Sequence, residues 1–295
     1  MNVKTKDKIA TGIFYGIAIL IVLILAGLLG YILVKGLPKL SLSFLTNPPQ
    51  SFTAGGGIGP EIWNSFYMLI LTMIISIPLS LGAGIYMAEY AKKNWLTDLI
   101  RTMIEVLSSL PSIVVGLFGF LIFVIQMGFS FSVISGALTL TIFNLPLLIR
   151  VVEEALRSIP KTQREAGLAL GITRFETITR VLIPAATPAI ITGVILAAGR
   201  VFGEAAALIF TAGQSTPTLD FANWNPLNAA SPLNIFRPAE TLAVHIWKIN
   251  GEGIMPDAGA VSDGTSAVLI ISVLLFNISA RLLGKFVFKK LTSST

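Results

Sequence analysis

Residues 106–149 read VLSSLPSIVVGLFGFLIFVIQMGFSFSVISGALTLTIFNLPLLI, and none of them is Asp, Glu, Lys or Arg. A membrane-crossing helix takes about 20 mostly apolar residues, so this stretch is long enough for two. Gly128–Ser130 supplies the break between them, and Pro111 and Pro146 lie near the ends of the pair, where proline is better tolerated. Working outward, similar apolar runs occupy Ile9–Val34, Ile62–Ala88 (with a kink expected at Pro78), Ile183–Thr211 and Thr265–Leu283. A membrane β-barrel would instead show alternating segments of about ten residues. The expected fold class is an all-α integral membrane protein with six transmembrane helices.

Composition excludes the other classes. Of the 295 residues 54% are hydrophobic and only 12% charged, about half the charge of a soluble domain. The mean hydropathy is +0.82. Disordered and disulfide-scaffold chains are ruled out by the apolar content and the absence of cysteine. One histidine and no cysteine exclude a His/Cys metal cluster. The basic pI of about 9.6 comes from residues flanking apolar runs, which points to a membrane surface and not to nucleic acid. Lys4, Lys6 and Lys8 resemble the start of a signal peptide. The apolar run after them far exceeds a signal core of about 7–15 residues, so a retained anchor is expected.

Basic residues choose the orientation. Sixteen of the 21 Lys and Arg fall on one side: three near the N-terminus, Lys92, Lys93 and Arg101, six from Arg150 to Arg180, and four from Arg281 onward. Lys35, Lys39, Arg237 and Lys248 fall on the other side, and Arg200 lies within span five. The positive-inside rule places both termini in the cytoplasm. The chain then divides into residues 1–61, an anchor helix and external loop, and residues 62–295, a core with cytoplasmic loop 150–184 and external loop 212–263. Within the external loop, Ala239–Ile249 has helical spacing with Leu242, Ile246 and Ile249 on one face. His245 has no second histidine and reads as ordinary surface.

The cytoplasmic loop carries the densest signal, IPKTQREAGLALGITRFETITRVLIP at 159–184. Thr162 and Glu165, and again Thr173 and Glu176, have capping-box spacing, and Gly171 between them suits a left-handed terminator. Helix, glycine turn, helix is expected. The longer pattern Glu165-Ala166-Gly167, three residues, Gly171, nine residues, Val181-Leu182-Ile183-Pro184 resembles the EAA loop of ABC importer permeases. It departs from that loop by Gly167 for Ala, Val181 for Ile and Ile183 for Leu. The resemblance implies a type I permease fold whose short coupling helix docks on an ATP-binding subunit, with Glu165, Ala166, Gly167, Gly171 and Pro184 as coupling positions.

Further stretches are similar to phosphate-importer permeases: Val152–Pro160, Leu107–Gly119, Gly55–Pro60 and Ala88-Glu89-Tyr90. Gly199–Ala206 and Phe210–Gly213 resemble the PstA-type subunit more than its PstC-type sister. What this implies is half of a phosphate translocation path. The implied partners are a PstC-type sister, a PstB-type ATPase dimer and an external PstS-type binding protein, with membrane lipid around it and no nucleic acid. No GxxxxGK[ST] loop occurs, so ATP and Mg belong to the partner ATPase; this chain binds no cofactor and is not itself an enzyme.

Arg200 and Glu204 are conspicuous on their own. Arg at the centre of a spanning helix costs about 2.5–3.5 kcal/mol on insertion scales, so it faces protein or water. Four residues apart on one helix, the two could pair. One reading is a structural ion pair; the other is an anion site, because a guanidinium matches a tetrahedral oxyanion. The family resemblance favours the second. Ser108, Ser109, Ser112 and Asn144 are further candidates for the path, although such residues also pack between membrane helices. Alternatives are a PstC-type subunit, a permease for sulfate, molybdate or phosphonate, and, from another class, a secondary transporter or channel, for which discontinuous helices would be expected. An intramembrane enzyme lacks any nucleophile–base arrangement.

Overall fold

The structure, a computed structural model, describes residues 3–293. Helix α1 spans Val3–Gly36, and a short α2 (Leu42–Thr46) lies in the following loop. Helix α3 (Gly59–Ile85) starts behind Pro60 and continues through a π-helical turn, Tyr86–Tyr90. Then come α4 (Trp95–Ser109), α5 (Ser112–Gly119) with a π-helical extension Phe120–Gln126, and α6 (Val133–Arg157). The next loop holds α7 (Lys161–Ala169) and α8 (Arg174–Thr177), which runs through a π-helical stretch, Ile178–Leu182, into α9 (Ile183–Phe202). Helices α10 (Ala206–Thr211), α11 (Leu242–Glu252) and α12 (Ala258–Ser293) complete the chain. Among the described residues five helices are long and apolar enough to cross a membrane, or six if the bent α4–α5 pair counts as one span.

Helix α6 is central. It packs against α3 and α9, and the closeness of these crossings is set by small residues. A β-carbon at Gly193 would overlap Val151, and one at Gly84 would lie 2.6 Å from Val152 Cβ. Two apolar clusters result. Met68, Leu140, Val201, Leu208 and Leu242 form the larger. Val152, Leu156, Ile178, Leu182 and Ala186 form the second, beside the α7–α8 loop. Helix α1 lies along α12 and exposes Ile13, Leu20, Leu23 and Leu28, the surface of a helix in lipid or against another subunit.

The break expected at Gly128–Ser130 is present, with φ of +70° at Gly128 and +56° at Ser130. Span three begins later than expected. Leu110–Pro111 bends the chain by 103°, so Val106–Ser109 belongs to α4, and the third membrane piece starts at Ser112. Proline cannot donate the hydrogen bond that continuation requires, and it pushes the preceding residue out of helix. The continuous span expected over Ile183–Thr211 is also corrected: α9 stops at Phe202, and a separate α10 begins at Ala206. The chain therefore does contain a discontinuous helix.

The loop of residues 212–263 is built and docked. The backbone N–H groups of Ala222, Asn225, Leu227 and Ala230 donate to Asp220, Asn223, Asn225 and Asn228 side chains two residues earlier, which accounts for its asparagine content. Trp63 on α3 receives Phe221 and Trp224 edge-on, and its Nε1 donates to the Pro232 carbonyl. Arg237 is buried and donates to Asn64 Oδ1 (2.8 Å) and the carbonyls of Pro232 and Pro238. Burial draws its guanidinium well below the ordinary arginine range, to about 10, against the pull of nearby Tyr67. The expected helix at Ala239–Ile249 appears as α11, with Leu242 and Ile249 buried. His245, expected at the surface, is also buried, because α11 turns that face onto the bundle.

Candidate functional site

Arg200 stands in the last turn of α9, about 24 Å along the axis from Pro184 at ~1.5 Å per residue. Its side chain is exposed, and its guanidinium carbon lies 3.9 Å from the centre of the Phe143 ring on α6. The expected pairing with Glu204 is absent, for a local reason. Gly203 ends α9 by donating to the Gly199 carbonyl (3.3 Å), and the chain changes direction before the next turn can place Glu204 over Arg200. Glu204 instead receives the backbone N–H of Ala207 on Oε1 at 3.2 Å, satisfying one of the free donors at the start of α10. Arg200 and Glu204 thus flank a break in a membrane helix, and the guanidinium is held by an aromatic face in place of a carboxylate.

The other path candidates separate. Ser108 and Ser109 donate back to the carbonyls of Glu105 and Val106 within α4. Ser112 is half-buried at the start of α5. Asn144 is fully buried on α6, with Nδ2 3.9 Å from Met73 Sδ and Oδ1 without a hydrogen-bond partner. None of these is brought to Arg200 by a hydrogen bond.

At the other end of the bundle lies the α7–α8 loop. Gly171 has φ +77°, the left-handed conformation that suits glycine. Thr173 and Glu176 form the expected capping box. The second expected box does not form: α7 begins directly after Pro160, so Thr162 is already inside the first turn and cannot cap it. Gly167, one of the departures from the EAA pattern, is explained by packing, since a β-carbon there would come within 2.8 Å of Thr177 Cγ2. Glu165 and Ala166 are exposed, as are Leu168, Leu170 and Phe175, so the loop presents apolar side chains outward. Pro184 sits in the first turn of α9.

One residue outside the expected coupling positions fixes this loop. Glu89, in the π-helical turn after α3, has a buried side chain that pairs with Arg164 of α7. Its carbonyl accepts from Arg174 of α8, whose guanidinium also lies 4.9 Å from the Tyr90 ring centre. Next to it, Arg157 donates to the Met87 carbonyl (3.2 Å) and pairs with Glu153 (2.9 Å), which also holds Arg101 of α4 (2.7 Å). The signal available was a lone acidic residue at the end of an apolar span, opposite a loop rich in arginine.

The arrangement is a bundle with a broken helix at one end and a braced, projecting helix pair at the other. Residues 80–293 match the family described as binding-protein-dependent transport system inner membrane component. The chain belongs to this family. Such a permease is a multi-pass inner-membrane protein. Among its relatives, the probable ABC transporter permease protein YqgI of Bacillus subtilis (strain 168) is 58% identical over the full length of both chains. The phosphate transport system permease protein PstA of Yersinia pestis is 36% identical over 84% of this chain and 80% of that one. Among solved structures, a bacterial alginate ABC transporter bound to its alginate-loaded periplasmic protein aligns with a TM-score of 0.69 at 12% identity, covering 97% of this chain and 96% of that one. The fold is that of the ABC importer permeases.

Proposed function

We propose that this permease is the PstA-type membrane subunit of an ATP-driven importer of inorganic phosphate. The observation that carries the reading is the likeness to PstA over 84% of the chain, which includes the segment bearing Arg200 and Glu204. Physical chemistry supports it. An exposed guanidinium in a membrane helix is costly against lipid, so Arg200 faces a water-filled path or a partner, and it is suited to binding anionic oxygens. In this reading a PstC-type sister subunit completes the path and a PstS-type protein delivers phosphate from outside. A PstB-type ATPase pair, which holds ATP and Mg, binds α7 through Glu165, Ala166 and the exposed apolar residues around Gly171. The chain itself performs no hydrolysis. Both termini and the α7–α8 loop face the cytoplasm.

Transport by the whole complex tests this. The four kinds of subunit are reconstituted in vesicles with ATP inside the compartment that faces the ATPase, and uptake of radiolabelled phosphate and sulfate is compared. ATP-dependent phosphate uptake, with sulfate carried far more slowly, is the expected result. Sulfate, molybdate or phosphonate carried in preference to phosphate would assign the path to that anion. Uptake that continues without any ATPase would return the chain to the secondary transporters.

A further inference from the structure

At the end of the bundle away from the α7–α8 loop, Glu61 of α3 meets Glu240 and His245, which approach from the external loop and α11. All three are buried, with exposures of 0%, 1% and 2%. One ligand-capable atom from each lies within 4.8 Å of those of the other two. His245 Nδ1 is 2.7 Å from Glu240 Oε1, while His245 Nε2 and both carboxylate oxygens of Glu61 are buried without a hydrogen-bond partner. Three orphaned atoms in one side-chain cluster are unusual, because buried polar groups are almost always satisfied by protein, water or an ion.

The neighbouring donors are engaged elsewhere. Asn64 Nδ2 donates to the Glu240 carbonyl and to Thr216 Oγ1. Lys248 Nζ donates to the Gln214 carbonyl and to Glu240 Oε2 at 2.9 Å, and the Ser65 hydroxyl donates to the Glu61 carbonyl. The Thr216 hydroxyl, which accepts from Asn64 Nδ2 and the Glu240 N–H, lies beside the Glu61 carboxylate and interacts with it weakly, without a fully formed hydrogen bond. Lys248 is bonded to Glu240 and reaches Glu61 only through space, and among the described residues no cation is paired with Glu61. Glu240 against Nδ1 is the contact that, in metal sites, fixes a histidine's tautomer and leaves Nε2 to ligate.

We propose that Glu61, Glu240 and His245 form a site for a divalent transition-metal ion, bound by the Glu61 carboxylate and the His245 imidazole with Glu240 orienting the ring. Imidazole with carboxylate suits zinc or manganese over calcium or magnesium. The ion would tie the external loop and α11 to the first turn of α3, a role independent of which anion the path carries. The ban on a His/Cys cluster stands, since two of the three groups are carboxylates.

The test uses the full chain purified in detergent without a polyhistidine tag and stripped with a chelator. Titration with zinc, followed by calorimetry and thermal unfolding, is expected to show one equivalent bound per chain and a Tm that rises with free zinc. His245→Gln and Glu61→Gln should each lose that equivalent. His245→Cys should bind again with preference moved to cadmium, because a thiolate is the softer ligand; the native chain has no cysteine to confuse the result. A wild-type chain that takes up neither zinc nor manganese stoichiometrically overturns the proposal, as does undiminished binding in Glu61→Gln. In either case a proton on Glu61, donated to His245 Nε2, would satisfy the same atoms.

Discussion

The carboxylate of Glu89 receives Arg164 from α7, while the backbone of the same residue receives Arg174 from α8. Both arms of the Gly171 turn are therefore anchored to one π-helical turn at the end of α3. Helix α3 packs along α6, and α8 continues into α9, which bears Arg200. Through one joint, Glu89, the loop is linked to α3, and through α8 it runs on into α9.

Removing that joint should separate coupling from folding. Arg164 is partly exposed and can turn to water, so Glu89→Ala should cost on the order of 1–3 kcal/mol, enough to lower Tm without preventing insertion. Phosphate carried per ATP hydrolysed by the reconstituted complex should fall several-fold. Glu89→Gln, which keeps an acceptor oxygen, should lie between the two. An unchanged transport ratio together with an unchanged Tm in Glu89→Ala would remove this residue from the coupling route.

Gly171 makes a cleaner backbone test, because a side chain placed there would meet nothing within 4 Å. Only its φ of +77° resists substitution. For an ordinary L-residue the left-handed conformation costs about 1–2 kcal/mol, with asparagine among the tolerated exceptions. Gly171→Val should retain membrane insertion and lose ATPase binding in a pull-down, whereas Gly171→Asn should keep most of it. Equal binding by Gly171→Val and wild type would show that the turn is not part of the docking surface.

What was legible in the sequence was what depends on local rules. Apolar length gave the spans, Gly128 and Gly171 gave the turns, and Thr173 with Glu176 gave a cap. Some failures came where two distant segments decide the outcome, others where a local break intervenes. His245 reads as surface until α11 is docked on α3, and Glu61 falls just before the apolar run that begins at Ile62. The Arg200–Glu204 pair is a sound expectation for continuous helix, and it fails because Gly203 ends the helix between them. Glu89 stands out only as part of a resemblance, and its role in bracing the loop is not legible because its partners lie 75 and 85 residues away.

Orientation can be read with single cysteines, since the chain has none of its own. Ser51 and Lys93 are exposed and lie at opposite ends of α3. Ser51→Cys should react with an impermeant maleimide in intact cells, and Lys93→Cys only after lysis. The reverse pattern would invert the topology drawn from the basic residues.

The substrate path turns on Arg200, and the break at Gly203 changes what each variant means. Arg200→Gln should abolish phosphate uptake while the complex still assembles, because the cation is lost from an exposed position that packs on one ring. Arg200→Lys should keep a little activity, the charge surviving without the planar fork. Phe143→Leu removes the aromatic face and leaves the cation. Exposed cation–π contacts are worth about 0.5–1 kcal/mol, so KM should rise a few-fold with assembly unchanged. Glu204 separates two roles. As a cap for α10, its replacement by Ala should cost about 1 kcal/mol, while Glu204→Gln keeps an oxygen for the Ala207 N–H and should look normal in stability. If Glu204 also accepts the proton of hydrogen phosphate, Glu204→Gln should lose discrimination against sulfate, which has no proton to give. Normal selectivity in Glu204→Gln would confine this residue to capping. Wild-type uptake by Arg200→Gln would go further and send the anion past another surface of the bundle.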